Sequence, residues 1–326
     1  MTVIELNYCP TLHAADKALE ERESGRERRG YLGFSGIGDC PRKTYYRFYG
    51  VAEDAMKASA LKNIADGHRT EDLIIERLRA VDGLTIIDRD PETGKQIEVS
   101  DFDGHALGHL DFEVHGLLQA PKTPHVGEVK CINERSFKEV KKIIAKNGEK
   151  AALREWNETY FAQAQMYMLY RGMTRHYCVV ATAGGRDWLA MRTEFDRKLA
   201  EFYAERARQI IFHGEILPGR ISEHKDFWKC RWCGFQDLCH DMLLPERNCR
   251  TCVYSKPVQN GAWECQRFNV PLDREAQESG CLDQRFKPTF VDGSVVRVDD
   301  AKNMIFYTLR NGETWADAGE NKPTVA

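Results

Sequence analysis

The sequence predicts an α/β fold, a mixed central sheet flanked by helices, and three features of the pattern predict it. A β-prone run in which Leu107, Leu110, Phe112 and Val114 mix with polar residues is broken by Gly116 and the Pro121/Pro124 segment, and a second short strand follows from Val126 to Ile132. This reads as a hairpin-like unit. Two more strands, 175–183 and 187–193, are joined through Gly184-Gly185. Helical patterns at 56–81, 133–146, 154–171 and 196–212 alternate with the strands, so the sheet combines hairpins with a crossover.

At 326 residues the chain is long enough for one large or two modest domains that fold without staples. The formal net charge of −3 does not advertise a nucleic-acid partner, so any phosphate attraction must come from local basic stripes. The start, MTVIELNYCP, lacks a basic region followed by an apolar core, and no apolar run reaches membrane-spanning length. A cytoplasmic location with no membrane contact is expected. In that compartment eleven cysteines point to metal ligation rather than disulfides.

Residues 1–30 read as a charged helical arm. In the next stretch Pro41 suits a first helical turn, Asp39 a cap and Gly50 a stop, which places Cys40 at a helix start; its ordinary alternative is a buried thiol. Arg42, Lys43 and Arg47 interleave with Tyr45, Tyr46, Phe48 and Tyr49, which suits either a packed amphipathic face or one that contacts a nucleic-acid strand, with core packing expected for most of the aromatics. On the 56–81 helix Ile64, His68 and Ile75 lie near one stripe, so His68 faces inward or into a cleft. A lone histidine on such a stripe is more often a satisfied core residue than a ligand.

The stretch from Gly108 to Lys130 carries the chemistry. If its two strands pair, Asp111 and Glu128 converge as hard anionic oxygen donors suited to Mg²⁺ or Mn²⁺, and Lys130 shares the face of Glu128. Solvated charges on a strand edge are the plain alternative. Glu128, however, sits among Val126, Val129 and Ile132, where an unpaired charge would be costly. A lysine beside two carboxylates can orient and help deprotonate a water in phosphodiester cleavage. Lys138, Lys141, Lys142 and Lys146 group on one side of the following helix, as a solvated face or as a phosphate-contacting one. Gln163 and Tyr167 share a face four residues apart.

The cysteines form two sets. Cys230-x₂-Cys233-x₅-Cys239 supplies three thiolates and needs a fourth, for which Cys40 is the upstream residue in a comparably prepared setting; zinc and an iron-sulfur cluster are both open. Cys249-x₂-Cys252-x₁₂-Cys265-x₁₅-Cys281 is a self-contained four-thiolate set within a 246–290 module, with Trp263, Phe268 and Phe286 placed to pack over it. A tail with few apolar residues needs a structural metal, zinc by its C-x₂-C hook, with a second iron-sulfur cluster or unligated thiols as alternatives. Residues 291–326 read as a hairpin, 294–298 with 304–308, and a disordered tail from 318.

The order Cys40 in C-P-R-K-x-Y-Y, His68 in GHRTEDLIIERL, Asp111, Glu128-x-Lys130, Gln163-x₃-Tyr167 and the late cysteine triplet resembles the PD-(D/E)xK nuclease superfamily. Within it, residues 31–245 resemble the iron-sulfur RecB-like exonucleases, including the AddB type and the small CRISPR-associated type. Leu110 stands where the second motif usually has proline. The resemblance implies a restriction-endonuclease-like domain closed by a [4Fe-4S] cluster on Cys40, Cys230, Cys233 and Cys239. It implies Mg²⁺ or Mn²⁺ on His68, Asp111, Glu128 and the carbonyl of Val129, Lys130 positioning water, and Gln163 and Tyr167 holding substrate and lysine. The implied activity is exonucleolytic hydrolysis of DNA, chiefly single-stranded ends, in recombination, repair or CRISPR-type processing, viral settings included. Residues 246–326 lie outside the resemblance, and their module would grip DNA or a protein partner. The rival from another class is a non-catalytic iron-sulfur/zinc nucleic-acid-binding or assembly module, which has no need to keep Asp111, Glu128, Lys130 and His68 together.

Overall fold

The computed structural model describes residues 9–24, 29–52, 56–241 and 243–319. The chain runs α1 (Pro10–Ser24), β1 (Leu32–Gly33), α2 (Pro41–Phe48), α3 (Ala58–Arg79), β2 (Thr85–Ile87), β3 (Glu98–Asp101), β4 (Ala106–His109), β5 (Phe112–His115) and β6 (His125–Ile132). It continues through α4 (Glu134–Asn147), α5 (Glu149–Trp156), α6 (Glu158–Arg171), β7 (Arg175–Thr182), β8 (Trp188–Glu194) and α7 (Arg197–Phe212). The central sheet has the order β2-β5-β6-β7-β8, antiparallel except for the β6–β7 pair. Parallel neighbours require a crossover, and α4, α5 and α6 supply it.

Two elements differ from the sequence expectation. The 107–114 run is two strands: β4 joins a small sheet of order β1-β4-β3, and only β5 joins the central one. The break falls at Leu110 and Asp111, where the Leu110 N–H donates to the Ile97 carbonyl at 2.9 Å and leaves Asp111 at the bend. Likewise the 154–171 helix divides at Asn157, whose Oδ1 accepts from the N–H groups of Thr159 (2.9 Å) and Tyr160 (3.2 Å) and so starts α6 afresh.

Strand alternation sends two sets of apolar side chains to opposite faces. On one, Phe112, Val114, Val129, Val179 and Ala181 pack with Ile74, Ile75 and Leu78 of α3. On the other, Val126, Cys178, Val180 and Met191 belong with Ala162, Met166 and Tyr167 of α6 and Tyr203, Ala207, Ile210 and Ile211 of α7. Every residue of α6 from Phe161 to Met168 is buried, as expected of a helix walled in all round. The aromatics Tyr45, Tyr46, Phe48 and Tyr49 lie in this core. By contrast α1 buries nothing and is tied to α3 through Lys62–Asp16 (2.5 Å).

After α7 come α8 (Trp228–Arg231), α9 (Gln236–His240), a sheet of β9 (Ser255–Pro257), β10 (Trp263–Cys265) and β11 (Val270–Leu272), and α10 (Arg274–Ser279). The terminal unit is a three-stranded meander of β12 (Gly293–Asp299), β13 (Met304–Leu309) and β14 (Thr314–Asp317), one strand more than the expected hairpin. Of the tail expected to be disordered, 320–326 lie outside the described residues.

The 246–290 segment is not self-contained. Trp263 is fully buried in the main core, its ring 5.5 Å from Phe48, 5.8 Å from Tyr49 and 5.9 Å from His105. The Arg250 guanidinium lies over that indole at 4.8 Å and donates to the Gly30 carbonyl at 2.6 Å, while Asn248 Nδ2 donates to the Gly50 carbonyl at 2.7 Å. Phe268, expected over the cysteines, is 52% exposed. A segment short of apolar residues has invested its largest one in its neighbour's core. Trp263→Ala should therefore destabilise the whole chain by about 3–5 kcal/mol in a single transition. Differential scanning calorimetry that instead shows a separate C-terminal transition, with the remainder unmoved, would contradict this docking.

Candidate active site

Register builds the site. Phe112 pairs with Gly127 across β5–β6, and a Cβ at Gly127 would lie 2.1 Å from the Phe112 ring, so only glycine lets the ring settle there. One residue on, Asp111 comes opposite Glu128. Asp111 Oδ2 accepts the Val129 N–H at 2.7 Å. Glu128 is 5% exposed; its Oε1 accepts from Lys130 Nζ and from Gln163 Nε2 (3.2 Å). Its Oε2 is buried with no hydrogen-bond partner among the described residues.

Lys130 Nζ also donates to Gln163 Oε1 at 3.2 Å and sits 4.5 Å above the Tyr160 ring. Gln163 Nε2 donates to the Tyr167 hydroxyl at 3.3 Å. Tyr167 in turn lies against Gly108, where a Cβ would come within 2.4 Å of its ring. Asp111, Glu128, Lys130, Gln163 and Tyr167 are thus gathered at one place, on the α6 side of the sheet.

The electrostatics are those of crowded like charges. Burial, then Glu128 and Glu71, push the Asp111 carboxyl well above the usual carboxylate range, against the opposing pull of Lys130 and the Val129 N–H. Glu71 on α3 is raised to about 7 by burial, then by Glu128 and Asp72. Burial alone would lower Lys130, but Glu128 and Asp111 outweigh it and hold the ammonium above its ordinary value. Glu71 and Tyr160 are site residues that sequence reasoning missed. Glu71 had a signal, since it lies three residues after His68 on the same helical side.

His68 itself is exposed, not inward-facing. The stripe Ile75, Glu71, His68, Ile64 leaves the core turn by turn, from 4% exposed at Ile75 to 44% at Ile64. That excludes a satisfied core histidine and puts His68 on the rim, one turn outward of Glu71. Lys138, Lys141, Lys142 and Lys146 are exposed on α4, with no ion pair among the described residues, and Lys138 and Lys142 point away from buried Val140.

The carboxylate site fits a divalent cation. An orphaned buried oxygen and carboxyls that repel one another are what a cation would satisfy. Asp111 and Glu128 are the pair able to bind it, although no three or more His, Cys, Asp or Glu side chains among the described residues are gathered closely enough to hold one ion.

Cys40 precedes α2, its N–H donating to Asp39 Oδ1 at 2.8 Å, so Asp39 supports the entry to the helix without capping it. Cys40, Cys230, Cys233 and Cys239 line a single cavity together with Arg42, Lys43, Arg220 and Lys229, and all four thiols are free. Burial, then neighbouring cysteine sulfurs, raise Cys230. Thiols from both ends of the domain meet at this cavity, whose wall also carries Asp39, paired with Lys43 at 2.6 Å, but among the described residues no three of them are gathered closely enough to hold one ion.

In the second set, Asn248 and Thr251 cap each other's backbone and present Cys249 and Cys252 as a buried knuckle. Gly280, at φ +71°, packs on Asn248 and brings Cys281 alongside. Burial, then Cys252, Cys281 and Cys265, push Cys249 up to about 12. Cysteines from three separate stretches therefore share one neighbourhood, though among the described residues not closely enough to hold one ion.

No family model and no curated protein matches the chain. Among solved structures it is similar to the protein SSO0001 (TM-score 0.40, 15% identity, covering 72% of this chain and 97% of that one). It is also similar to LHK-Exo, crystallised with dAMP and described as an alkaline exonuclease from Laribacter hongkongensis (0.40, 14%, 58% and 89%). A phage related exonuclease from Haemophilus somnus 129PT follows at 0.32 and 11%, covering 55% and 91%.

Proposed function

We propose that the chain is a metal-dependent deoxyribonuclease of the RecB-like PD-(D/E)xK type, acting as an exonuclease on single-stranded DNA ends. The observation that carries this reading is the buried, unpartnered Glu128 Oε2 inside the Asp111–Glu128–Lys130 cluster. Buried carboxylate oxygens are normally hydrogen-bonded or ligated, so this one calls for a partner that the chain itself does not supply.

Asp111, Glu128 and the Val129 carbonyl, with His68 or Glu71 closing from α3, would hold Mg²⁺ or Mn²⁺. When bound, the ion offsets charge on the pentavalent phosphorus and makes its water more acidic. Lys130, kept charged by its two carboxylates, donates to the attacking water and orients it rather than taking its proton. Gln163 donates to Glu128 and accepts from Lys130, which locks the pair in one geometry. The tyrosine hydroxyl behind it fixes the amide orientation.

Cys40, Cys230, Cys233 and Cys239 would hold a [4Fe-4S] cluster as a clasp between the ends of the domain. For Cys249, Cys252, Cys265 and Cys281 we propose zinc, with a second iron-sulfur cluster as the alternative.

Asp111→Ala, Glu128→Ala and Lys130→Ala should each reduce Mn²⁺-dependent cleavage of end-labelled single-stranded DNA by about 100-fold or more, with the fold retained. A fully active Lys130→Ala enzyme would refute the mechanism. An inactive but DNA-binding parent chain would instead establish the non-catalytic module.

Metal affinity should fall as pH drops below about 7. Glu71 is raised to about 7 and Asp111 is raised as well, so below that pH the native site carries protons that Mn²⁺ must displace. Each displaced proton weakens binding about tenfold per pH unit, measurable by calorimetric titration between pH 8 and 6. A pH-independent affinity would remove the carboxylates from the site.

Purified anaerobically, the protein should be brown, and Cys40→Ser should lose the colour along with iron. Cys249→Ser/Cys252→Ser should lose about one zinc per chain, as a single tetrahedral site requires, with iron unchanged. Elemental analysis showing iron lost instead identifies a second cluster.

A further inference from the structure

Trp232 is 84% exposed and Trp228 64%, the most exposed tryptophans described, and they stand four residues apart on the α8 turn. Two large aromatic faces turned to water on one turn are costly for folding and mark a contact surface. The residues between them are Lys229, Cys230 and Arg231, so residues 228–232 carry two cations and no acid in a chain of net charge −3. Neither Lys229 nor Arg231 forms an ion pair among the described residues, whereas nearby Arg220 and Lys225 are paired with Glu223 and Asp241. Lys229 lies 5.4 Å from the Trp228 ring and faces the cysteine-lined cavity, whose rim adds Arg42 and Arg220.

The turn is also held firmly. Cys230 is buried beneath it, its N–H donating to the Phe227 carbonyl at 2.8 Å, and Phe235 is 2% exposed with its ring 5.8 Å from Tyr46. Rigid rings with cations between them match one class of partner. Bases of a single strand stack on the indoles while phosphates meet Lys229 and Arg231. A duplex, whose base faces are already stacked, lacks that complement. Resting on the nuclease reading, we propose that Trp228 and Trp232, with Lys229 and Arg231, form a stacking platform for single-stranded DNA.

The test is fluorescence anisotropy of labelled oligothymidylate with the full-length, anaerobically prepared protein in Ca²⁺. Trp228→Ala/Trp232→Ala should weaken binding tenfold or more, while thermal unfolding and hydrolysis of the small diester bis(p-nitrophenyl) phosphate stay as in the parent. Lys229→Gln/Arg231→Gln should flatten the salt dependence of binding. Unchanged oligothymidylate affinity in the tryptophan double variant overturns the platform. So does a loss confined to anionic vesicles or to self-association measured by ultracentrifugation. The two readings fail separately: a parent that binds single strands without cleaving any phosphodiester sinks the nuclease and leaves the platform. Normal cleavage with a double variant that still binds like the parent does the reverse.

Discussion

Burying charge in the middle of a sheet is the constraint on which this molecule turns. Glu128 and Lys130 occupy β6 where it pairs with β7, just past the last residue that pairs with β5, and Asp111 faces them from the bend before β5. Taking each charge out of water is penalised by several kcal/mol, and attraction repays it only where geometry and extra hydrogen bonds are both good. The surroundings supply that geometry in order. Gly127 admits Phe112 and sets the register, the Val129 N–H holds Asp111, and Gln163 bridges Glu128 to Lys130. One oxygen is left out. The fold accepts lower stability there than an apolar strand would provide, which is characteristic of a site kept for chemistry.

What was legible in the sequence follows the range of the interactions involved. Glu128 and Lys130 are two residues apart on a strand, and Gln163 and Tyr167 four apart on a helix, so local periodicity alone places each pair on one face. Contacts set by tertiary approach were not legible. Nothing around Leu110 announces a bend, because the Ile97 carbonyl that enforces it lies at the entry to β3. Glu71 meets the carboxylates only because α3 is laid against the sheet, and Tyr160 meets Lys130 only because the lysine reaches over to α6.

The same distinction explains the C-terminal region. Judged by composition, residues 246–290 have too little apolar material for a core, and a self-contained metal module is the natural expectation. The structure uses a second solution beside the cysteine set, inserting Trp263 among Phe48, Tyr49 and His105. Arg250 caps the indole and the Asn248 amide reaches the end of α2, so the knuckle is anchored to the helix that begins at Cys40. Both cysteine sets therefore bear on α2, one at each end.

That shared helix links the first cysteine set to the charged cluster by a short path of packed atoms. Two residues before Cys40, Gly38 lies so close to α6 that a Cβ would stand 2.6 Å from the Ala162 Cβ and 2.8 Å from the Thr159 Cα. Arg206 on α7 donates to the Ile37 carbonyl at 3.0 Å and pins the same loop from the other side. Ala162 precedes Gln163, and Thr159 precedes Tyr160, the two α6 residues that touch Lys130. Close-packed interiors transmit small displacements rather than absorbing them. Movement of the Cys40 loop must therefore displace the start of α6, and with it the amide that keeps Lys130 and Glu128 in register, although no cysteine touches the charged cluster.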